Sequence, residues 1–271
     1  MKGVKMHSPC CSYKLILLSV LLVVLLTSTT SSEGVVPRTT NNVESSEKIY
    51  GGERVYATEF PSMAAIMHFR FLFWRFLCGG SIISKKYVLT AAHCFDQRLE
   101  DLTVTVGYVA YRYGAQHKIT KIMKHENYSR ELITNDIAIL EVNPPFTFNA
   151  DKKPAVLPGK YEVTPVGSSG TIVGWGWTES SHEDGLRKAQ VQIWNQAECE
   201  EAFLNIMPSQ ICAGGYDVEV SVCYGDSGGP LFVDGILVGI TSFMRGCATY
   251  VPNVFTRVSY FREWITLMTS V

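Results

Sequence analysis

The stretch Gly225-Asp226-Ser227-Gly228-Gly229-Pro230 holds the residues best suited to chemistry. A serine with an acid before it and glycines around it suits acyl transfer, which needs an exposed hydroxyl and a backbone free to aim N–H groups at a developing oxyanion. The same residue types favour turns, and on these six residues alone a turn is an equal reading. A serine hydroxyl is a weak nucleophile, so a base must lie within hydrogen-bond reach and a third group must hold that base in one tautomer. His93 sits in Leu89-Thr90-Ala91-Ala92-His93-Cys94, apolar on one side and bounded by a cysteine on the other. Asp136 opens the apolar run Asp136-Ile137-Ala138-Ile139-Leu140, where an unpaired carboxylate would be costly to bury; it should therefore have a buried partner. His7, His68, His117, His125 and His182 have no comparable setting and read as surface or loop histidines.

Taken in order, Thr90-Ala91-Ala92-His93-Cys94, Asp136-Ile137-Ala138 and Gly225-Asp226-Ser227-Gly228-Gly229-Pro230 resemble the chymotrypsin/trypsin family of serine endopeptidases. The resemblance covers Ile49 to Val271, about four-fifths of the chain. It implies that His93 takes the Ser227 proton, that Asp136 holds the imidazole, and that the N–H groups of Gly225 and Ser227 form an oxyanion hole. It also implies that Ser242 braces Asp136 and that the fold is two six-stranded antiparallel β-barrels with the triad between them. The catalytic chemistry so implied requires no metal and no cofactor.

The residues themselves point to short strands. Leu102-Thr103-Val104-Thr105-Val106-Gly107 and Ala189-Gln190-Val191-Gln192-Ile193 alternate with period two, and Gly235-Ile236-Leu237-Val238-Gly239-Ile240 reads as a buried strand. This predicts an all-β fold. Phe261, Trp264, Ile265 and Met268 have helical spacing after Ser259, an N-cap candidate, which predicts a C-terminal helix. The aromatic run from Met67 to Leu77 reads as a hairpin with aromatic cross-strand pairs, and its two arginines are too few for a basic patch. The barrel boundary is expected near residues 149–167.

A formal net charge of -1 gives no reason to expect nucleic acid or an anionic membrane surface as partner. Lys2, Lys5 and Lys14 precede the mainly apolar run Leu15 to Leu26 and the small polar stretch Thr27 to Ser32, the layout of a secretory signal peptide, placed at residues 1–32. Residues 33–48 are poor in large apolar side chains and read as an unpacked pro-segment before a domain at residues 49–271. The family resemblance implies cleavage after Lys48, so that the freed Ile49 ammonium pairs with Asp226; Tyr50 stands where relatives have valine. Of eight cysteines, Cys10 and Cys11 would leave with the signal, and the remaining six allow fifteen pairings. The resemblance selects Cys78 with Cys94, Cys199 with Cys212, and Cys223 with Cys247. No close Cys-x-x-Cys pair survives in the mature part to suggest zinc. The segment after Gly107 has no acid before Glu126, which argues against a calcium loop there. Asn127-Tyr128-Ser129 is a glycosylation sequon.

By position in the family, Ser221 forms the floor of the specificity pocket, Met244 and Asn253 its walls, and Phe243 an aromatic platform. A serine floor removes the charge partner that a lysine or arginine would need, so the expected preference is for small or medium apolar side chains. Protein or peptide substrates, an activating trypsin-like protease and protein inhibitors are the implied partners, with a monomer as the implied state. An idle homologue acting as a binding protein is the alternative, motivated by Met244, Asn253 and Tyr50; the intact His93, Asp136 and Ser227 weigh against it.

Overall fold

The computed structural model describes residue 49 and residues 52–56, 58–176, 185–215, 220–247 and 249–271. The expected signal peptide, the pro-segment with Lys48, Tyr50 and His182 lie outside the described residues. Strands β1 (Glu53–Arg54), β2 (Met63–Arg70), β3 (Phe73–Ile82), β4 (Tyr87–Thr90), β5 (Leu102–Val106), β6 (Ala115–Lys124) and β7 (Ala138–Asn143) come first. They are followed by β8 (Ser169–Gly174), β9 (Arg187–Ile193), β10 (Gln210–Gly214), β11 (Pro230–Val233), β12 (Ile236–Phe243) and β13 (Asn253–Arg257). β2-β3-β4-β7-β6-β5 close into one antiparallel barrel. β9-β10-β13-β12-β11-β8 close into a second through the β8–β9 pairing, and β1 adds to the edge of β9. The all-β, two-barrel expectation holds.

Burial explains the strands. In β9, Ala189, Val191 and Ile193 are buried while Gln190 and Gln192 are exposed, as period two requires for a sheet with one wet face. β5 departs from its expected alternation: all five residues are buried. Thr103 tolerates this because its hydroxyl donates to His117 O at 2.9 Å, which satisfies a polar group that burial would otherwise penalise. Ile66, Val88, Leu89, Ile139 and Leu140 of the first-barrel strands are buried in one apolar cluster that covers both faces of those strands, and Ile172, Val191, Leu231 and Phe255 of the second-barrel strands in another.

Helix α2 (Arg262–Thr269) ends the chain, with Trp264 and Ile265 buried. Ser259 is not its N-cap: it lies buried in a preceding 3₁₀ turn, Val258–Phe261, and Phe261 occupies the cap position without a side-chain cap bond. A second helix, α1 (Gln196–Ala202), was not anticipated; the Asn195 side chain caps it by accepting from Glu198 N at 2.8 Å. The sequence signal was Asn195 followed three residues later by Glu198, the spacing of a capping box.

Candidate active site

His93 sits on the one-turn 3₁₀ helix Ala92–Cys94 that follows β4. The Cys78–Cys94 disulfide, with a Cα–Cα distance of 6.3 Å, ties that turn to β3. Asp136 lies just before β7 and is 1% exposed. Its carboxylate accepts from the His93 backbone N–H at 2.9 Å and from the Ser242 hydroxyl at 2.6 Å, and His93 Nδ1 is 2.7 Å away. A carboxylate can only accept, so Nδ1 carries the proton and the Nε2 lone pair is left for a donor. The Thr256 hydroxyl donates to the Asp136 carbonyl at 2.7 Å, which holds the backbone as well. The buried partner expected for Asp136 is thus His93, with Ser242 on the same carboxylate.

Ser227 is on the turn before β11. Its carbonyl accepts from Gly79 N at 2.8 Å, and the Gly228 N–H donates to Thr241 O at 2.8 Å, so the turn is pinned to both barrels. The Asp226 N–H donates back to Cys223 O at 3.0 Å. Among the described residues, the flanking N–H groups of Gly225 and Ser227 have no partner, the arrangement that an oxyanion hole needs. Gly225 has φ +98°, and a Cβ there would lie 3.1 Å from Gly176 Cα; only glycine meets both conditions easily. No hydrogen bond joins Ser227 Oγ to His93 Nε2 among the described contacts; Nε2 lies 3.9 Å from Cys94 Sγ.

Asp226 is 2% exposed. Its carboxyl accepts from Gly176 N at 2.8 Å and Cys223 N at 2.9 Å, and no cation pairs with it among the described residues. Burial pushes its pKa up to about 7, against which the two backbone donors act only in part. Ile49 is fully buried among Ile172, Ala189 and Val222 of the second-barrel core.

A cleft of about 220 Å³ opens beside Ser227, lined by Val222, Tyr224, Thr241, Ser242, Phe243 and Met244 among others. Ser221 and Asn253 are not on its lining. They lie buried, 2% and 3% exposed, with Ser221 Oγ 3.1 Å from Asn253 Oδ1 and 2.7 Å from Val222 O. Phe243 is backed edge-on by Phe203 at 5.5 Å, over which Arg245 sits at 5.0 Å. Sequence reasoning missed Val222, Tyr224 and Thr241 as lining residues; no local signal marks them.

The structure pairs Cys199 with Cys212 and Cys223 with Cys247, with Cα–Cα distances of 6.1 and 5.0 Å. Cys78, His93 and Cys94 offer ligand atoms within 4.8 Å of one another, but the disulfide leaves neither sulfur free as a thiolate. Asn127 is exposed between β6 and β7, where its carbonyl accepts from Asn135 Nδ2 at 2.9 Å.

Comparison with known proteins agrees with this geometry. The sequence profile of the trypsin family matches residues 49–265. Brachyurin of Leptuca pugilator is 36% identical over 234 residues, covering 82% of this chain and 99% of the relative. Mouse chymotrypsin-C is 35% identical over 240 residues, covering 81% and 88%. Trypsin 5G1 of Aedes aegypti is 34% identical over 237 residues, covering 83% and 86%. With two closed barrels, a hydrogen-bonded His–Asp pair, a Gly-Asp-Ser-Gly turn pinned to both barrels, and matches of this length, the chain belongs to the trypsin family of serine endopeptidases.

Proposed function

We propose that the chain is a secreted serine endopeptidase, made as a zymogen, with His93, Asp136 and Ser227 as its catalytic triad. Residues 1–32 act as the signal peptide, 33–48 as the pro-segment and 49–271 as the protease domain. The observation that carries the catalytic assignment is the Asp136 carboxylate shared by His93 Nδ1 and the Ser242 hydroxyl, at 2.7 and 2.6 Å. Held in that tautomer, His93 Nε2 takes the Ser227 proton as Oγ attacks the scissile carbonyl. It then gives the proton to the leaving amine, while Asp136 stabilises the imidazolium without being protonated. The free N–H groups of Gly225 and Ser227 receive the oxyanion of the tetrahedral intermediate. Water repeats the sequence on the acyl-enzyme and restores Ser227.

Activation by a trypsin-like protease after Lys48 is supported by two features of the uncut chain. Ile49 has φ 45°, a left-handed conformation unfavourable to a β-branched residue. Cutting the bond before Ile49 abolishes that dihedral and frees an ammonium. Asp226 is a buried carboxyl without a cation among the described residues, its pKa near 7. Pairing the two removes the penalty of burying either charge alone and orders the loop that bears Gly225 and Ser227.

Small or medium apolar residues are the preferred side chains before the scissile bond. Met244 narrows the cleft wall, Ser221 and Asn253 are engaged with each other beneath it, and among the described residues no carboxylate lines it to receive a lysine or arginine. Asn127 carries an N-linked glycan. The enzyme acts as a monomer on protein or peptide substrates and is subject to protein inhibitors.

Labelling by a small fluorophosphonate probe before and after cutting at Lys48 tests the reading, because the probe demands little of the specificity pocket. Labelling that appears only after the cut and vanishes in His93→Ala is the expected result. Absence of labelling with Ile49 demonstrably exposed would instead mark a protein that binds without catalysis.

A further inference from the structure

The β2–β3 hairpin ends in an apex whose composition the catalytic reading does not explain. Phe71, Leu72 and Phe73 are 72%, 82% and 67% exposed, and Phe69 and Trp74 behind them 40% and 38%. An apolar cluster this exposed is uncommon on a soluble domain and marks an interaction surface. The apex is also strained. Phe71 and Leu72 form a two-residue turn in the left-handed region, φ 51° and 69°, where asparagine and glycine are the favourable choices. Two large apolar residues therefore occupy the positions where small polar ones would fold more easily, and neither gains burial in return.

From this geometry we propose that the Phe71–Phe73 apex is an interfacial wedge that seats the protein peripherally on a phospholipid bilayer. Three consecutive exposed residues leave both faces of the ribbon apolar. The headgroup and acyl boundary of a bilayer surrounds such a tip on both faces. The residues behind the apex suit the next layer out. Phe69 and Trp74 are register partners with rings 5.3 Å apart, and aromatic rings of this kind favour the membrane–water boundary.

Arg70 and Arg75 are exposed on the same two strands, positioned for lipid phosphates, and neither forms an ion pair among the described residues. The Arg70 guanidinium lies 4.9 Å from the Phe71 ring centroid. Acidic groups nearby do not cancel this charge: Glu100 and Asp101, which lead into β5 opposite His68, are paired with Arg98. The overall charge of -1 does not bear on the question, since surface binding responds to the few charges within a Debye length of the lipid. β3 continues from the apex to Phe76, whose ring approaches Gly225, so a seated wedge holds the cleft close to the bilayer.

The test is co-flotation of protein recovered from culture medium with vesicles of phosphatidylcholine, alone or with about one-third phosphatidylserine. The variant Phe71→Asn/Leu72→Asn/Phe73→Ser keeps a favourable turn, and unchanged hydrolysis of a short peptide shows that it is folded. Support would be wild-type flotation that falls at least tenfold in this variant, with Arg70→Gln/Arg75→Gln losing several-fold on anionic vesicles only. A second supporting result would be quenching of wild-type tryptophan fluorescence by brominated lipid that is absent in Trp74→Phe. Equal flotation of wild type and the triple variant, or none for either, overturns the proposal. So does a triple variant that slows casein hydrolysis in lipid-free buffer while wild type ignores vesicles, since the apex would then serve a protein substrate.

Discussion

Two aspartates of this protein are almost equally buried and differently completed. Asp136, 1% exposed, has the His93 N–H, the imidazole and the Ser242 hydroxyl on its carboxylate. Asp226, 2% exposed, has two backbone N–H groups and, among the described residues, no cation, and its pKa rises to about 7. The first site is complete among the described residues, whereas the second has no positive charge beside it among them. Burial alone does not distinguish a fully partnered carboxylate from one without a cation; the partners do.

Substitutions at the finished site give the largest expected effects. Ser227→Ala should lower kcat of the cut enzyme by about a million-fold, and Asp136→Asn by about ten-thousand-fold, because the amide would hold His93 in the wrong tautomer. Steady-state hydrolysis of a peptide ester measures both. An Asp136→Asn enzyme within tenfold of wild type would end the claim that this carboxylate is the tautomer-setting partner.

The unfinished site predicts a pH signature. In the uncut chain the Asp226 pKa is raised from 3.8 to about 7. Between those values the folded state holds a proton that the unfolded state has released, so stability must fall as pH rises from 4 to 7. The full span corresponds to about 4 kcal/mol. Thermal unfolding of the uncut Ser227→Ala protein across that range should show the decline, and Asp226→Asn should flatten it. After cutting, the Ile49 ammonium should stabilise the ionised carboxylate and remove the decline. A cut protein with the same slope as the uncut one would sever the link between Ile49 and Asp226.

Smaller effects sharpen the comparison. Ser242→Ala removes one charge-assisted donor from Asp136 and should cost about 2 kcal/mol of stability, with a fall of about tenfold in kcat. Loss of stability with kcat intact would assign Ser242 to folding alone. Behind the cleft lining, Asn253→Gly removes the side chain beside Ser221 and should shift kcat/KM about tenfold toward larger apolar residues. Competition between alanine- and phenylalanine-containing peptides reads that shift directly.

Much of the framework was legible from local pattern. The period-two run Ala189–Ile193 became β9, and the apolar run through Ile240 became β12. Local reasoning failed where a neighbour distant in sequence decided the outcome. Thr103 and Thr105 look solvent-facing by alternation but are buried in β5, with a carbonyl of β6 satisfying the Thr103 hydroxyl. Ser259 has the composition of a cap, yet a 3₁₀ turn absorbs it before α2 begins. The hairpin at residues 69–74 was legible, but the exposure of its apex was not, since aromatic residues usually signal burial.

Residue types and order alone determined which groups could do the chemistry: a serine in glycine-rich surroundings, one histidine beside a cysteine, and one aspartate in an apolar run. Barrel closure decided how those groups stand. It brings Ser242 to Asp136 across 106 residues, His93 to Asp136 across 43, and Asn253 to Ser221 across 32. Such contacts depend on strand register and on which elements cover a side chain, and no run of neighbouring residues encodes either. For the same reason, only the folded chain shows that Asp136 is satisfied while Asp226 has no cation among the described residues.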